Sequence, residues 1–136
     1  MADDDSARPA QGLALLLVED DRLGAAHARR IMERAGHAPR LAGTGGEALR
    51  LLATERFAAA FLDIELPDMD GLTLAARFRA APSEATPADI PLFALTGHDP
   101  DMLHEAAARA GFLDVLAKPL TPEALAQALN QLVPRP

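Results

Sequence analysis

Four short apolar runs in the chain each end at a side chain that can take part in phosphate chemistry. The runs LALLLV, AAAFL, PLFAL and LDVLA are followed, in that order, by Glu19 with Asp20 and Asp21, by Asp63, by Thr96 and by Lys118. Lys118 is the only lysine among 13 basic residues, so a compact ammonium is used at this one position. Carboxylates, a hydroxyl and an ammonium together can bind a metal ion and a phosphoryl group.

The four runs themselves predict buried strands. Short runs rich in Leu, Val, Phe and Ala are typical of strands that helices cover on both faces of a parallel sheet. Ligands of such sheets bind outside the carboxyl ends of the strands. The sequence therefore predicts one site at one edge of the sheet, where the acids, Thr96 and Lys118 meet.

Crowded carboxylates define the chemistry expected at that edge. Two carboxylates about 4 Å apart repel by about 4 kcal/mol at an effective dielectric constant near 20, so Glu19, Asp20 and Asp63 together require protonation or a cation. Oxygen ligands favour Mg²⁺, Mn²⁺ or Ca²⁺, and an open carboxylate site suits Mg²⁺ with a phosphoryl group. Asp63, the single acid ending a central strand, is the candidate nucleophile, which would form an acyl phosphate. Thr96 and Lys118 would bind the phosphoryl oxygens.

Strands and helices alternate along the chain. The predicted strands cover about 13–18, 38–42, 58–63, 92–96 and 113–117, and the predicted helices cover about 21–35, 45–55, 71–81, 100–110 and the residues from 122 to 133. Pro39 cannot donate to a strand ladder, so the second strand is predicted at an edge. Right-handed crossovers then favour an α/β, flavodoxin-like, doubly wound fold, with five helices and a five-stranded parallel sheet in the order 2-1-3-4-5.

The helix boundaries carry local signals. The start signals are the capping-box pair Thr44 and Glu47 and the dipeptides Asp99-Pro100 and Thr121-Pro122. Gly36 and Gly111 are typical C-terminal stops. The segment 82–91, PSEATPADIP, predicts an exposed loop.

Length, charge and composition exclude several classes of protein. The 136 residues suit one domain, predicted over 13–133 after a flexible, acidic tail over 1–12. A net charge of −7 argues against a nucleic-acid partner, and the absence of cysteine excludes disulfides and thiolate ligands. The apolar runs are far shorter than the roughly 20 residues of a membrane span. We therefore expect no membrane association and a cytoplasmic location.

Each candidate at a strand end also has a purely structural interpretation. Asp20 or Asp21 alone could be the N-cap of the first helix. Thr96 could be an ordinary strand-end hydroxyl, and Lys118 an ordinary surface lysine. A functional site is favoured because all four strand ends carry suitable groups in one consistent topology.

The remaining acids and histidines near these motifs have simpler interpretations. Asp68 and Asp70 are interpreted as turn and cap residues. The four histidines, which share no ligand spacing and are interpreted as solvated or partly packed, are His27, His37, His98 and His104.

Four motifs resemble the signatures of one family. LLLVEDD, FLDIELPDMDGL, FALTG and LAKPLTPEAL are similar to the motifs of response-regulator receiver domains of two-component signalling, and the resemblance covers about residues 13–133. It implies a phosphorelay switch that catalyses its own phosphorylation and dephosphorylation and signals through protein contacts. Its donor would be a histidine kinase or a histidine phosphotransfer protein.

The resemblance also implies a role for each matching residue. Asp63 would accept the phosphoryl group from phosphohistidine. Glu19 and Asp20 would bind Mg²⁺ with Asp63 and the backbone carbonyl of Glu65. Thr96 and Lys118 would read the phosphorylated state and change a face formed by the fourth helix, the fifth strand and the fifth helix, to which a downstream protein would bind.

Two positions depart from the family pattern. Val115 stands where many members have Tyr or Phe, so no aromatic ring can change rotamer there, and Glu65 is close enough to affect water that attacks a phosphoryl group. Gly97 should leave the phosphorus accessible. Two other functions are kept as alternatives: an aspartyl-phosphate phosphatase of the haloacid dehalogenase type, whose nucleophile usually follows the first strand, and a pseudo-receiver that binds a partner without phosphorylation.

Overall fold

Each strand of the chain is followed by a helix, and the computed structural model describes residues 12–81 and 85–132 of this alternation. The elements are β1 (Ala14–Val18), α1 (Arg22–Arg34), β2 (Ala38–Ala42), α2 (Gly45–Thr54), β3 (Ala59–Asp63), α3 (Gly71–Ala80), β4 (Leu92–Thr96), α4 (Pro100–Arg109), β5 (Asp114–Ala117) and α5 (Pro122–Asn130). Residues 1–11 of the predicted tail, 82–84 of the predicted loop and 133 at the predicted end of the last helix lie outside the described residues. In the described part, no helix has the length and apolar character needed to cross a membrane.

The five strands form one parallel sheet in the order β2-β1-β3-β4-β5. The predicted fold class and strand order are therefore confirmed. β2 lies at the edge, where Pro39 is in register with Leu15 of β1 and needs no ladder partner on its other side. The winding direction reverses between β1 and β3, so the carboxyl ends of these two strands lie side by side.

Apolar side chains cover both faces of the sheet, as the unbroken apolar runs predict. On one face, residues such as Leu17, Phe61 and Phe93 pack with α1 and α5, and the two rings stack with centroids 4.9 Å apart. On the other face, a second cluster joins the sheet to α2, α3 and α4. Every residue of β3 and β4 is buried. Since burial of one Leu or Phe side chain contributes about 1.5–3 kcal/mol, the ends of these strands form a fixed edge.

Side-chain caps begin the helices at the predicted residues. Asp21 caps α1, Thr44 caps α2, and Asp99 and Thr121 cap α4 and α5, each by accepting a backbone N–H of the first turn. Such a cap typically stabilises a helix by about 1 kcal/mol. Because Asp21 is the cap of α1, Asp20 remains free of that structural role.

The predicted loop over 82–91 is exposed at Pro87 and Asp89 but buried at Thr86 and Ile90, so the prediction of exposure was wrong for these last two residues. The hydroxyl of Thr86 is buried and hydrogen-bonds to backbone groups between α2 and β3. Arg79 of α3 donates to the carbonyl oxygens of Ala88 and Ile90. Proline and polar residues indicate a loop correctly, but they do not show that α3 supplies the hydrogen-bond partners that allow its burial.

Candidate functional site

The sheet topology brings the acids of two strand ends together. Val18 and Leu62 are paired in register, so the residues that follow β1 lie beside Asp63 at the end of β3. Glu19 extends β1 by donating its N–H to the carbonyl oxygen of Ala42 at 3.0 Å. Nothing local in the sequence links positions 19 and 63. Their meeting follows from parallel pairing across the point where the winding reverses.

Three carboxylates form one cluster at this edge. Glu19, Asp20 and Asp63 each offer one oxygen, and these oxygens lie within 4.8 Å of one another. Glu19 and Asp63 are buried, whereas Asp20 is exposed. The cluster is therefore closed on the protein side and open toward solvent. Oxygen-only donors in a partly open site fit a hard divalent cation that keeps some of its water ligands.

Lys118 holds the buried pair of acids. Its Nζ atom lies 3.1 Å from Asp63 Oδ2 and 3.3 Å from Glu19 Oε1, and its side chain is 30% exposed. Burial opposes the charge of the ammonium, but the hydrogen bond to Asp63 and the charges of both acids raise the pKa of Lys118 above its usual value. Lys118 is thus a protonated part of the site and is no ordinary surface lysine.

Burial and a neighbouring acid both act on the carboxyl group of Glu19. Burial is the main cause that raises the pKa of Glu19, and Asp63 acts in the same direction. The backbone N–H of Asp21 and the ammonium of Lys118 lower this pKa, but only in part. Three carboxylates lie beside a single ammonium, so a further cation would relieve their repulsion.

Thr96 and Glu65 lie at the same edge but make different contacts. Thr96 is buried, and its Oγ1 accepts the N–H of His98 at 3.0 Å. The N–H of Glu65 donates to Asp63 Oδ1 at 3.0 Å, so the two oxygens of Asp63 are held by different partners. The carboxylate of Glu65 points outward, and its Oε2 lies 3.5 Å from Nε2 of His98. No sequence spacing predicts this pair, because its members follow different strands.

Gly71, the first residue of α3, is a structural requirement of the site that the sequence did not reveal. A Cβ atom at this position would lie 2.6 Å from the carbonyl oxygen of Asp63 and 3.0 Å from Cα of Ile64. The N–H of Gly71 donates to the carbonyl oxygen of Ile64 at 2.7 Å. The start of α3 therefore packs directly against the backbone that carries Asp63.

We expect Gly71→Ala to destabilise the protein by about 1–3 kcal/mol, the usual range for forcing an extra carbon atom into a packed site. Urea unfolding followed by circular dichroism measures this change. Gly43→Ala is the matched control, because a Cβ there would meet no atom within 4 Å. Equal stability of Gly71→Ala and Gly43→Ala would show that α3 can shift away from Asp63 without cost.

Other acids near the cluster cap helices. Asp68 accepts the N–H groups of Gly45 at 2.8 Å and Gly46 at 2.9 Å, and these hydrogen bonds hold its pKa below the usual value. Asp70 caps α3. Both are thus turn or cap residues, as interpreted, although Asp68 caps α2 from a distant loop, which local sequence does not reveal.

Val115 and the histidines lie outside the acidic cluster. Val115 is buried among the residues that pack against α2, α3 and α4. His37 is largely buried, and burial lowers its pKa while its Nδ1 accepts the N–H of Leu13 at 3.2 Å. His27 is exposed, but its Nε2 lies 2.7 Å from the carbonyl oxygen of Leu120. In residues 12–81 and 85–132, no histidine joins the acidic cluster.

The chain resembles proteins of known families over nearly its whole length. The model of the response regulator receiver domain matches residues 15–130. The aerobic respiration control sensor protein ArcB of Escherichia coli is 36% identical over 129 residues, which are 94% of this chain and 16% of that protein. The chain thus spans a small part of the length of this relative.

Solved structures of response regulators have the same fold. A putative response regulator from Chloroflexus aurantiacus superposes with a TM-score of 0.79 and 31% identity, covering 92% of this chain and 100% of that one. A response regulator from Burkholderia pseudomallei, whose structure contains a phosphorylated aspartic acid, a calcium ion and citrate, has a TM-score of 0.74 and 30% identity over 86% of this chain and 66% of that one. With the family match, these likenesses show that the chain belongs to the response regulator receiver domains of two-component systems.

Proposed function

We propose that this chain is a phosphorelay switch in which Asp63 accepts a phosphoryl group from a phosphohistidine of a histidine kinase or histidine phosphotransfer protein. The observation that carries this proposal is the carboxylate of Asp63, buried and held by Lys118 Nζ on one oxygen and by the Glu65 amide on the other. An oriented carboxylate beside a cation and two further acids suits attack on phosphorus. We place this exchange in the cytoplasm, where ATP supplies phosphoryl groups to kinases.

The transfer would proceed by exchange of one bond at phosphorus. An oxygen of Asp63 forms the new P–O bond as the P–N bond of phosphohistidine breaks. The electron pair of the P–N bond returns to the imidazole nitrogen, which takes up a proton and leaves. The product is an acyl phosphate on Asp63, and its phosphoryl oxygens carry the charge that the site must stabilise.

Glu19, Asp20 and Asp63, with the backbone carbonyl of Glu65, would hold Mg²⁺. The fit rests on the oxygen-only donor set and on the exposed position of Asp20, which leaves room for water ligands. The metal supplies positive charge shared between the acids and the phosphoryl oxygens. The structure of the Burkholderia pseudomallei response regulator contains a calcium ion as well as a phosphorylated aspartic acid, which is compatible with a hard cation in a protein of this fold.

Thr96 and Lys118 would bind the phosphoryl oxygens. The oxygen of Thr96 accepts the N–H of His98, so its own hydrogen can still be donated. Lys118 already contacts the oxygen of Asp63 that lies opposite the Glu65 amide. No observation favours either alternative function. The candidate nucleophile lies at the end of β3, whereas that of a haloacid dehalogenase-type phosphatase usually follows the first strand. The complete set of acids, hydroxyl and lysine argues against a pseudo-receiver.

Asp20→Asn should weaken Mg²⁺ binding by about tenfold, equal to ~1.4 kcal/mol, and slow phosphorylation, because it removes the exposed charge of the cluster. Asp68→Asn is the matched control, since Asp68 caps α2 and lies outside the cluster. Calorimetry or NMR measures the affinity, because the chain has no Trp or Tyr for fluorescence. Equal losses of Mg²⁺ affinity in the two variants would contradict the proposed ligands. If EDTA does not affect phosphotransfer from a phosphohistidine donor, the proposed role of the metal is wrong.

The output face would comprise α4, β5 and α5. The backbone N–H of Lys118 donates to the carbonyl oxygen of Thr96 at 2.7 Å, so movement of one strand end is transmitted to the other. Met102 of α4 and Leu113, directly before β5, are exposed apolar side chains that a protein partner could cover. With Val115 in place of a ring, the change would be small and carried by the backbone, and a partner responds only through different affinities for the two states.

Amide NMR with Mg²⁺ and beryllium fluoride, which mimics the phosphoryl group, tests this output face. We expect chemical shift changes near residues 19–21 and 63–67 and also across 97–125. Changes confined to the first two segments would refute the proposed face. Asp63→Asn with the same additives controls for binding of beryllium fluoride elsewhere.

A further inference from the structure

The loop over 118–121 carries Lys118 from β5 to α5, and it is anchored to the sheet at two points. The N–H of Lys118 bonds to β4, as described above, and Leu120 is buried in the core between the sheet, α1 and α5. Toward α1, however, the loop borders a cavity of about 290 Å³. The residues that line the cavity include Glu19, Asp21, Gly24, His27 and Pro119. Packing of Leu120 therefore holds one part of the loop near α1, whereas the residues next to Lys118 border open space on that side.

His27 bridges this space. Its Nε2 lies 2.7 Å from the carbonyl oxygen of Leu120, 93 residues away in the chain. A carbonyl oxygen only accepts, so Nε2 must carry the hydrogen in this bond. Within the described ranges, this is the only hydrogen bond between α1 and the loop. His27 thus makes the direct polar connection between the two elements.

The start of α1 is itself fixed to the acidic cluster. Asp21, the N-cap, follows Glu19 and Asp20 directly, and its N–H donates to Glu19 Oε2 at 3.1 Å. Gly24, in the first turn, faces Glu19 and Asp21 closely: a Cβ there would lie 3.0 Å from Asp21 Oδ2 and 3.7 Å from Oε1 of Glu19. A closed path therefore runs from Glu19 through α1 and His27 to Leu120 and back through Lys118 Nζ.

This path matters most when the ion pairs of Lys118 change. Under the proposed function, a metal ion neutralises Glu19 and Asp63 carries a phosphoryl group, so neither carboxylate holds the ammonium as it does here. The hydrogen bond from His27 to Leu120 involves neither acid, so it does not depend on the charge of either carboxylate. We propose that His27 is a positioning residue that fixes the Lys118 loop relative to α1, so that the ammonium stays aimed at the oxygens bound to Asp63; this inference rests on the proposed function.

The test uses two variants and a small phosphoryl donor. In His27→Gln the amide nitrogen can occupy the place of Nε2 and donate, whereas in His27→Phe a ring of similar size remains without a donor. Phosphoramidate with Mg²⁺ is the donor, because it is too small to depend on a docking surface of α1. Its P–N bond breaks as Asp63 forms the P–O bond, and ammonia leaves after protonation. His104→Phe is the control, since His104 is exposed on α4.

We expect His27→Phe to slow phosphorylation about three- to tenfold, the range of one net hydrogen bond, and His27→Gln to stay within about twofold of wild type. The amide resonances of residues 118–121 should move in His27→Phe and return in His27→Gln, which loss of packing alone would not produce. An unchanged rate in His27→Phe, or equal losses in both variants, would overturn the inference.

Two further measurements distinguish failure of the proposed function from failure of the role of His27. If wild type itself is not phosphorylated on Asp63, the proposed function fails and not merely the role of His27. If His27→Phe does not fold, the ring Nε2–H of wild-type His27 is measured by NMR: slow exchange with water supports the hydrogen bond to Leu120, and exchange as fast as that of His104 overturns it.

Discussion

Asp63→Asn should lose the phosphoryl label from a phosphohistidine donor, with a fall in rate of about a thousandfold or more. A carboxamide keeps the shape of the side chain but is a poor nucleophile toward phosphorus, and it also removes one charge from the metal site. Labelling by a ³²P-charged donor in the presence of Mg²⁺ measures the effect. The wild-type product should show the acid and base lability of an acyl phosphate.

Unfolding of the Asp63→Asn variant does not explain the expected loss of labelling. Asp63 is one of three crowded acids, so loss of its charge also relieves repulsion. Without metal, Asp63→Asn removes repulsion from Glu19 but also one partner of Lys118, so we expect it to remain folded with a Tm close to that of wild type. Asp68→Asn, which changes a capping acid outside the cluster, should be labelled normally. Labelling of Asp63→Asn at the wild-type rate, with the same lability, would rule out Asp63 as the acceptor.

Lys118→Arg should retain part of the phosphorylation, at roughly a tenth of the wild-type rate, and lose the signal at the output face. Nζ of Lys118 lies within 3.3 Å of oxygens of two different carboxylates. Both carboxylates are buried, so the space between them suits one compact ammonium group. The guanidinium of Arg is a wide planar fork and does not fit the same point between a phosphoryl oxygen and the acids. Beryllium fluoride NMR, and signalling with an identified partner, measure the two effects.

Arg50→Lys is the reverse exchange at an exposed position of α2 and should change neither property. If Lys118→Arg signals like wild type, net charge at the end of β5 is sufficient and the shape of the cation is irrelevant. If labelling is lost completely as well, Lys118 is needed for the transfer step itself and not only for reading its product.

Much of the fold follows from local signals in the sequence. Unbroken apolar runs identify strands that are covered on both faces, Pro39 identifies the edge strand, and the dipeptides Asp99-Pro100 and Thr121-Pro122 begin their helices where predicted. Each signal depends on the chemistry of a few neighbouring residues, such as a missing N–H or a capping oxygen. The rule that parallel strands present ligands at their carboxyl ends then predicts which edge carries the site.

The sequence by itself determined the architecture, the edge of the sheet and the set of groups available there. These groups are the acids after β1, Asp63 and Thr96 as the last residues of β3 and β4, and Lys118 after β5. It did not determine which acids take which role. Asp20 and Asp21 are equivalent as neighbours in sequence, and only the direction of α1 makes Asp21 the cap and leaves Asp20 in the cluster.

Contacts between distant segments were decided by the tertiary structure alone. The pair formed by Glu65 and His98 and the hydrogen bond from His27 to Leu120 join residues that share no spacing or motif. Asp63 and Gly71 lie in one motif, but the motif does not show that Gly71 packs against the backbone of Asp63. The distances in these contacts depend on the register of the strands and on the packing of the helices. Both result from many weak interactions throughout the core. A local pattern fixes the conformation of a few residues, whereas these contacts exist only once the sheet has formed.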